Sequence, residues 1–271
     1  MRRVLLFLVA LITGACGQDA TSAPPASPEP PPDPEPHVPR APAIEPPTAR
    51  PFAFTTSDGV RIEGELRTRS DRGAPLVVLV HQLSSDRAEW APLLERLASV
   101  PVDAYAMDMR GHGASTHQGD HEIHWDAFAP ADWQPIGSDV REAIEALRED
   151  GLAPSHVVVI GSSIGSSAAI QATARDDVDA VVALSPGRAY HGVDALGPLA
   201  NIGDRPLLAI AARGEPESAE TAQQMAAIVP RGVERLVDGR QHGVSMFAED
   251  PRLLDEIVSF VRANTLPDDG P

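Results

Sequence analysis

An α/β fold, with a mostly parallel sheet covered by helices on both faces, is predicted from three features of this chain. From residue 76 onward, apolar runs of strand length alternate with segments of helical period. Two earlier strand-like runs open the sheet as an antiparallel hairpin, giving eight strands in all. A Gly-x-Ser-x-Gly turn, Gly161-Ser162-Ser163-Ile164-Gly165, stands between a buried strand and the helix that follows it.

The hairpin strands fall at 52–56 and 60–67, and the apolar run 76–80 is the first fully buried strand, ending in His81-Gln82-Leu83-Ser84-Ser85. A helix over 87–99 leads to a strand over 102–108. The next helix, 135–149, carries an apolar stripe of Ile136, Val140, Ile144 and Leu147. Then come a strand at 157–161, a small-residue helix at 164–175 and a strand at 178–184. The last part reads as a strand at 207–212, a helix at 219–229, a strand at 234–237 and an amphipathic helix at 251–263. No internal repeat is present.

The Gly-x-Ser-x-Gly turn points to a nucleophile. Its glycines let strand and helix approach closely, while the central Ser163, rather than Ser162, is held exposed at the carboxyl edge of the sheet. A serine hydroxyl needs a positioned base, and His242 is the histidine that lies in a loop after the last strand with a glycine beside it. A carboxylate must orient that imidazole, in the chain order Ser, acid, His. Glu215, leaving the end of strand 207–212, is the first choice. Glu217 could instead start the next helix, and Asp238 could reach the histidine from the other side. For the oxyanion, the N–H of Ile164 follows the nucleophile, and the loop after 76–80 offers Leu83 N–H, with Gln82 the other possibility. His81 is read as structural.

These residues resemble the α/β-hydrolase family, and within it the lidless, dienelactone-hydrolase-like or small-esterase members. The resemblance runs from about residue 52 to 264 and rests on VHQLSSDRAEW, MDMRGHGAS, GSSIGS, ALSPG, ARGEPES and RQHGVSMF. It implies that the RGHG turn, Arg110 to Gly113, has no metal or catalytic duty. This chain departs from many relatives in carrying Gln82 where they have glycine, and in offering Glu rather than the commoner Asp as the acid.

Between strands 178–184 and 207–212 only residues 185–205 are available, too few for a cap domain over a long acyl chain. An open site suited to short-chain esters, lactones, thioesters or activated amides is expected, with Tyr190, His191, Trp125 and Phe128 as candidate wall residues. Histidines 112, 117, 121 and 124 cluster in sequence, but no cysteine joins them and His112 belongs to the RGHG turn, so no metal is expected. No cofactor is required by this chemistry.

The N-terminus reads as an export signal. Arg2-Arg3 and the apolar run 4–12 precede Thr13-Gly14-Ala15-Cys16, so residues 1–15 resemble a bacterial lipoprotein signal with Cys16, the chain's single cysteine, as the lipidated residue. Residues 16–50, rich in proline and alanine, are expected as an extended tether, and 51–271 as the catalytic domain. With no second cysteine, the domain stands on its core without a disulfide. A net charge of −17, with arginine as the only basic residue besides histidine, disfavours phosphate backbones and anionic lipid. Nucleic-acid binding is therefore excluded, and membrane attachment is assigned to the lipid. The expected activity is acyl transfer from a small ester to water through Ser163. The rivals are a small serine peptidase and a non-catalytic binding module of the cell envelope on the same scaffold.

Overall fold

The computed structural model describes residues 45–69, 73–175 and 178–267, all within one compact unit. The expected signal 1–15, Cys16 and most of the expected tether lie outside the described residues. No helix among the described residues is long and apolar enough to cross a membrane.

The chain opens with β1 (Thr48–Thr55) and β2 (Val60–Thr68), paired antiparallel from Thr48↔Thr68 to Thr55↔Arg61. β1 therefore begins inside the stretch expected as tether. Its outer position lets it carry Pro51, because a proline is tolerated where a strand has a neighbour on one side only. Six parallel strands follow: β3 (Leu76–Val80), β4 (Asp103–Met107), then β7 (Val157–Ser162), β8 (Ala180–Leu184), β11 (Leu207–Ala212) and β12 (Gly232–Val237). β5 (His117–Gln118) and β6 (His121–Glu122) form a two-residue hairpin that extends the sheet beyond β2. The described sheet thus has ten strands, in the order β12-β11-β8-β7-β3-β4-β2-β5-β6 with β1 on β2, where eight were expected. A separate small hairpin pairs β9 (Ala189–Tyr190) with β10 (Val193–Asp194).

Alternation within each buried strand sends neighbouring side chains to opposite layers. Leu76, Val78, Val80, Val157 and Val159 face a core shared with α2 (Ile136–Glu149), α3 (Ile164–Thr173) and α4 (Pro216–Ile228). Val77, Leu79, Val158 and Ile160 face a second core, shared with α1 (Ala91–Leu97) and α6 (Arg252–Thr265). The short α5 (Met246–Glu249) leads into α6. Where one helix was expected over 87–99, a 3-10 turn (Arg87–Trp90) precedes α1. Pro92 explains this, since it has no N–H to complete an α-helical bond one turn back.

β3 lies between β4 and β7, so the chain passes to opposite sides of β3 in turn. Such a switch point opens a crevice at the carboxyl ends of the two central strands. The loop carrying Gln82 and Leu83 leaves β3 there, and the turn carrying Ser163 leaves β7.

Candidate active site

Ser163 sits between β7 and α3 with φ 55° and ψ −121°, in the left-handed half of backbone space that a side chain rarely adopts. The glycines around it permit the turn. A Cβ on Gly161 would lie 2.1 Å from the Gly165 carbonyl oxygen, and one on Gly165 would lie 2.3 Å from that of Val80. Ser163 is 6% exposed, its N–H donates to the Leu184 carbonyl at 2.8 Å, and its own carbonyl accepts the Ser166 hydroxyl at 2.5 Å. Ser162, by contrast, ends β7 fully buried and donates its hydroxyl to Gln82 Oε1 at 3.2 Å.

His242 lies in the loop after β12, and its Nδ1–H donates to Glu215 Oε1 at 2.7 Å. That bond leaves Nε2 as the nitrogen able to take a proton. Glu215 stands at the N-cap of α4, which starts three residues earlier than expected because Pro216 occupies its first turn. The two substitutes considered for the acid are placed elsewhere. Glu217 is exposed in the first turn of α4, and Asp238 is fully exposed beside Arg213 at 3.5 Å.

Ser185 was not foreseen as part of this arrangement. It is fully buried after β8 with φ 44°, donates its hydroxyl to Glu215 Oε2 at 2.9 Å, and accepts the Gly243 N–H at 2.8 Å. One hydroxyl thus ties the carboxylate to the residue beside the histidine. The segment Leu184-Ser185-Pro186-Gly187 carries part of the family-like pattern, but a bond spanning 58 positions has no local signature.

Ile164 is the first residue of α3, so its N–H has no partner within the helix and points from the positive end of the helix dipole. In the β3 loop, Gln82 N–H donates to Glu89 Oε1 at 3.0 Å, whereas no acceptor for Leu83 N–H is found among the described residues. Gln82 is fastened twice, by its N–H to Glu89 and by its side chain to Ser162. The space above its amide is kept by Gly243, with φ 56°, where a Cβ would come within 2.1 Å of Gln82 Oε1. Burial pushes the Glu89 carboxyl up to about 7, and its second oxygen is buried without a partner.

His81 is fully buried, accepts the Met109 N–H on Nε2 at 2.9 Å, and meets the Gln82 carbonyl through Nδ1 at 2.7 Å. Burial pushes its pKa down to about 4, so it is a neutral packing residue. Arg110 makes two bonds to Asp139 on α2, at 2.7 and 2.6 Å, and reaches Asp58 in the β1–β2 turn at 2.9 Å. Burial pushes the Asp139 carboxyl up, while the guanidinium, which does not lose its charge, holds against that and keeps the pair ionised. The RGHG turn therefore ties sheet to helix.

The four histidines do not converge. His112 is buried and stacked on Trp125 at 5.4 Å, His117 and His121 lie on the β5–β6 hairpin, and His124 is exposed beside Glu122. No metal-binding group of three or more His, Cys, Asp or Glu residues occurs among the described residues. Of the candidate wall residues, Tyr190 stands edge-on to His242 with ring centroids 6.4 Å apart, and His191 stacks on Trp133. Phe128 lines a concavity of about 450 Å³ over Arg110, whose lining includes none of Ser163, Glu215 or His242.

Residues 72–227 match the family model described as serine aminopeptidase, S33. The chain belongs to that family. The matched stretch holds Ser163 and Glu215, and ends before His242. Among curated relatives, the chain is 30% identical over 144 residues to 2-(acetamidomethylene)succinate hydrolase from Mesorhizobium japonicum, over 52% of this chain and 46% of that protein. It thus spans about half the length of the curated relative it matches. Solved structures of similar fold include an esterase from Pyrococcus furiosus, with TM-score 0.64 at 20% identity, covering 80% of this chain and 92% of the other. An α/β hydrolase from a Penicillium species aligns with TM-score 0.66 at 14% identity, covering 80% and 99%. The fold of this S33 family member is that of the α/β hydrolases.

Proposed function

We propose that this protein is a serine hydrolase that cleaves small esters, lactones or thioesters through an acyl-enzyme on Ser163. The observation that carries the reading is the 2.7 Å bond from His242 Nδ1 to Glu215 Oε1, with Ser163 in its left-handed turn at the same end of the sheet, after β7, which β8 separates from β11. The Ser163 hydroxyl attacks the carbonyl and passes its proton to His242 Nε2, while Glu215 fixes the tautomer and steadies the imidazolium. The N–H groups of Ile164 and Leu83 hold the oxyanion. His242 then protonates the leaving group and activates water to release the acid.

Small substrates fit a site whose connection from β8 to β11 holds only the β9–β10 hairpin and a 3-10 turn (Gly197–Asn201), in keeping with a lidless, dienelactone-hydrolase-like enzyme. Similarity to a hydrolase of a small succinate derivative also favours small molecules over polymers. The family's description favours one second reading, a small aminopeptidase, which the same machinery would serve. The enzyme works in the cell envelope, lipid-anchored through Cys16 by the signal-like residues 1–15.

Purified full-length protein treated with a fluorophosphonate probe is expected to label at Ser163 and to lose labelling in Ser163→Ala. Short acyl esters and aminoacyl anilides assayed together separate esterase from aminopeptidase. A folded protein that neither labels nor turns over any of them is a binding module instead. Metabolic labelling with an alkynyl fatty acid, lost in Cys16→Ser, tests the anchor.

A further inference from the structure

Tyr190 occupies the closing position of the β9–β10 hairpin, opposite Val193. The two residues between them, His191 at φ 50° and Gly192 at φ 78°, form the tight left-handed turn that suits a two-residue hairpin. The hairpin is anchored at both sides, with His191 stacked on Trp133 at 4.5 Å and Val193 fully buried. This holds the tyrosine ring edge-on to the His242 imidazole, while its hydroxyl faces two acceptors. These are the Ser185 carbonyl at 3.2 Å, next to Leu184, whose own carbonyl holds the Ser163 N–H, and the Ser218 hydroxyl at 3.4 Å.

A single phenolic proton cannot serve both acceptors at once. At rest it goes to the Ser185 carbonyl, and rotation about the C–O bond frees it for an oxygen arriving beside His242. Charged oxygens attract such a donor about twice as strongly as neutral ones. The ring lies on the histidine side of Ser163, where a leaving group departs, whereas the proposed oxyanion donors belong to the β3 loop and the start of α3. We propose that Tyr190 is a further catalytic donor, delivering a hydrogen bond to the leaving-group oxygen. This rests on the serine-hydrolase reading above.

Attack forms the bond from Ser163 Oγ to the carbonyl carbon and sends the Oγ proton to His242 Nε2. Collapse breaks the bond from that carbon to the alkoxy oxygen, which takes the proton from Nε2. Tyr190 keeps its own proton throughout and shares it with the alkoxy oxygen while negative charge gathers there. Burial holds this phenol above the ordinary tyrosine range, so it remains a donor at neutral pH.

The test is Tyr190→Phe in the full-length protein, assayed on ethyl acetate and p-nitrophenyl acetate, which share an acyl group and differ in leaving group. The alkyl ester should lose on the order of 10-fold or more in kcat/KM. The nitrophenyl ester, whose leaving group bears its charge unaided, should lose under about threefold, with fluorophosphonate labelling of Ser163 retained. Equal losses on both esters, or none, would overturn the donor role alone. A wild type that neither labels nor hydrolyses overturns the hydrolase reading and this one with it. Should the Phe variant unfold, 3,5-difluorotyrosine can replace both tyrosines, the other being the buried core residue Tyr105. The alkyl-ester rate should then fall as the more acidic phenol ionises, while the nitrophenyl rate holds. Parallel profiles would overturn the proposal.

Discussion

Ser185 donates its hydroxyl to Glu215 Oε2 at 2.9 Å, the carboxylate oxygen opposite the one that meets His242. The same hydroxyl accepts the Gly243 N–H, so one side chain restrains both partners of the histidine–carboxylate pair. Ser185→Ala leaves the Gly243 N–H buried and unpaired and frees one carboxylate oxygen. The expected cost is about 1–3 kcal/mol of stability together with a fall in kcat. Chemical denaturation and steady-state kinetics on short esters check this, and an unchanged variant would show the hydroxyl to be dispensable.

Glu215→Gln should lower kcat by about 10³–10⁴-fold, because an amide disturbs the tautomer and cannot steady the imidazolium. Glu217→Gln and Asp238→Asn should stay close to wild type, since one carboxylate is exposed on α4 and the other is fully exposed beside Arg213. Comparing kcat across the three variants decides the acid. A loss concentrated at Glu217 or Asp238 would move the assignment there.

Glu89 gives the protein a pH dependence of definite sign. Burial raises its carboxyl from 4.5 to about 7, so the folded chain keeps a proton that the unfolded chain has released. Stability therefore falls as pH rises from 4.5 to 7, and the loss persists above 7. Glu89→Gln keeps an acceptor for Gln82 N–H and has nothing to ionise. Its unfolding free energy should exceed that of wild type by on the order of 1–2 kcal/mol at pH 8 and match it near pH 4.5. Urea titrations at the two pH values test the sign, and a variant less stable at pH 8 would contradict it.

Arg110→Ala strands the Asp139 carboxylate in the core. Losing one partner of a buried pair typically costs about 3–5 kcal/mol, far more than loss of an exposed pair such as Arg96–Asp255. Denaturation midpoints of Arg110→Ala and Arg96→Ala, measured side by side, should differ accordingly. Similar midpoints would mean that Asp139 takes up a proton or relaxes to water.

The central strands β3, β4, β7, β8 and β11 and the Ser163 turn were legible because burial on both faces forces uninterrupted apolar runs, and because close strand–helix contact demands glycines at 161 and 165. The hairpins β5–β6 and β9–β10 were not, since two-residue strands have no periodicity to read. Glu89 lay within a segment expected as a simple helix, and its burial depends on the loop of Gln82 folding over it. The replacement of glycine by Gln82 could be seen, but its anchoring to Ser162 could not, as the two are 80 positions apart. The roles of Ser185 and Tyr190 were hidden for the same reason, being set by tertiary contacts.

The position of β3 between β4 and β7 also bears on how the chain acquires its structure. β3 and β4 are joined by one short helical connection, whereas β3 and β7 become neighbours only after everything between residues 80 and 157 has been accommodated. Contacts of such long sequence separation slow folding, because the entropy of closing the loop is lost before the pairing compensates for it. The β3–β7 seam carries Gln82 on one side and Ser163 on the other. Refolding followed by protection of core amides should therefore show most of the sheet formed before any reactivity toward a serine-directed probe returns.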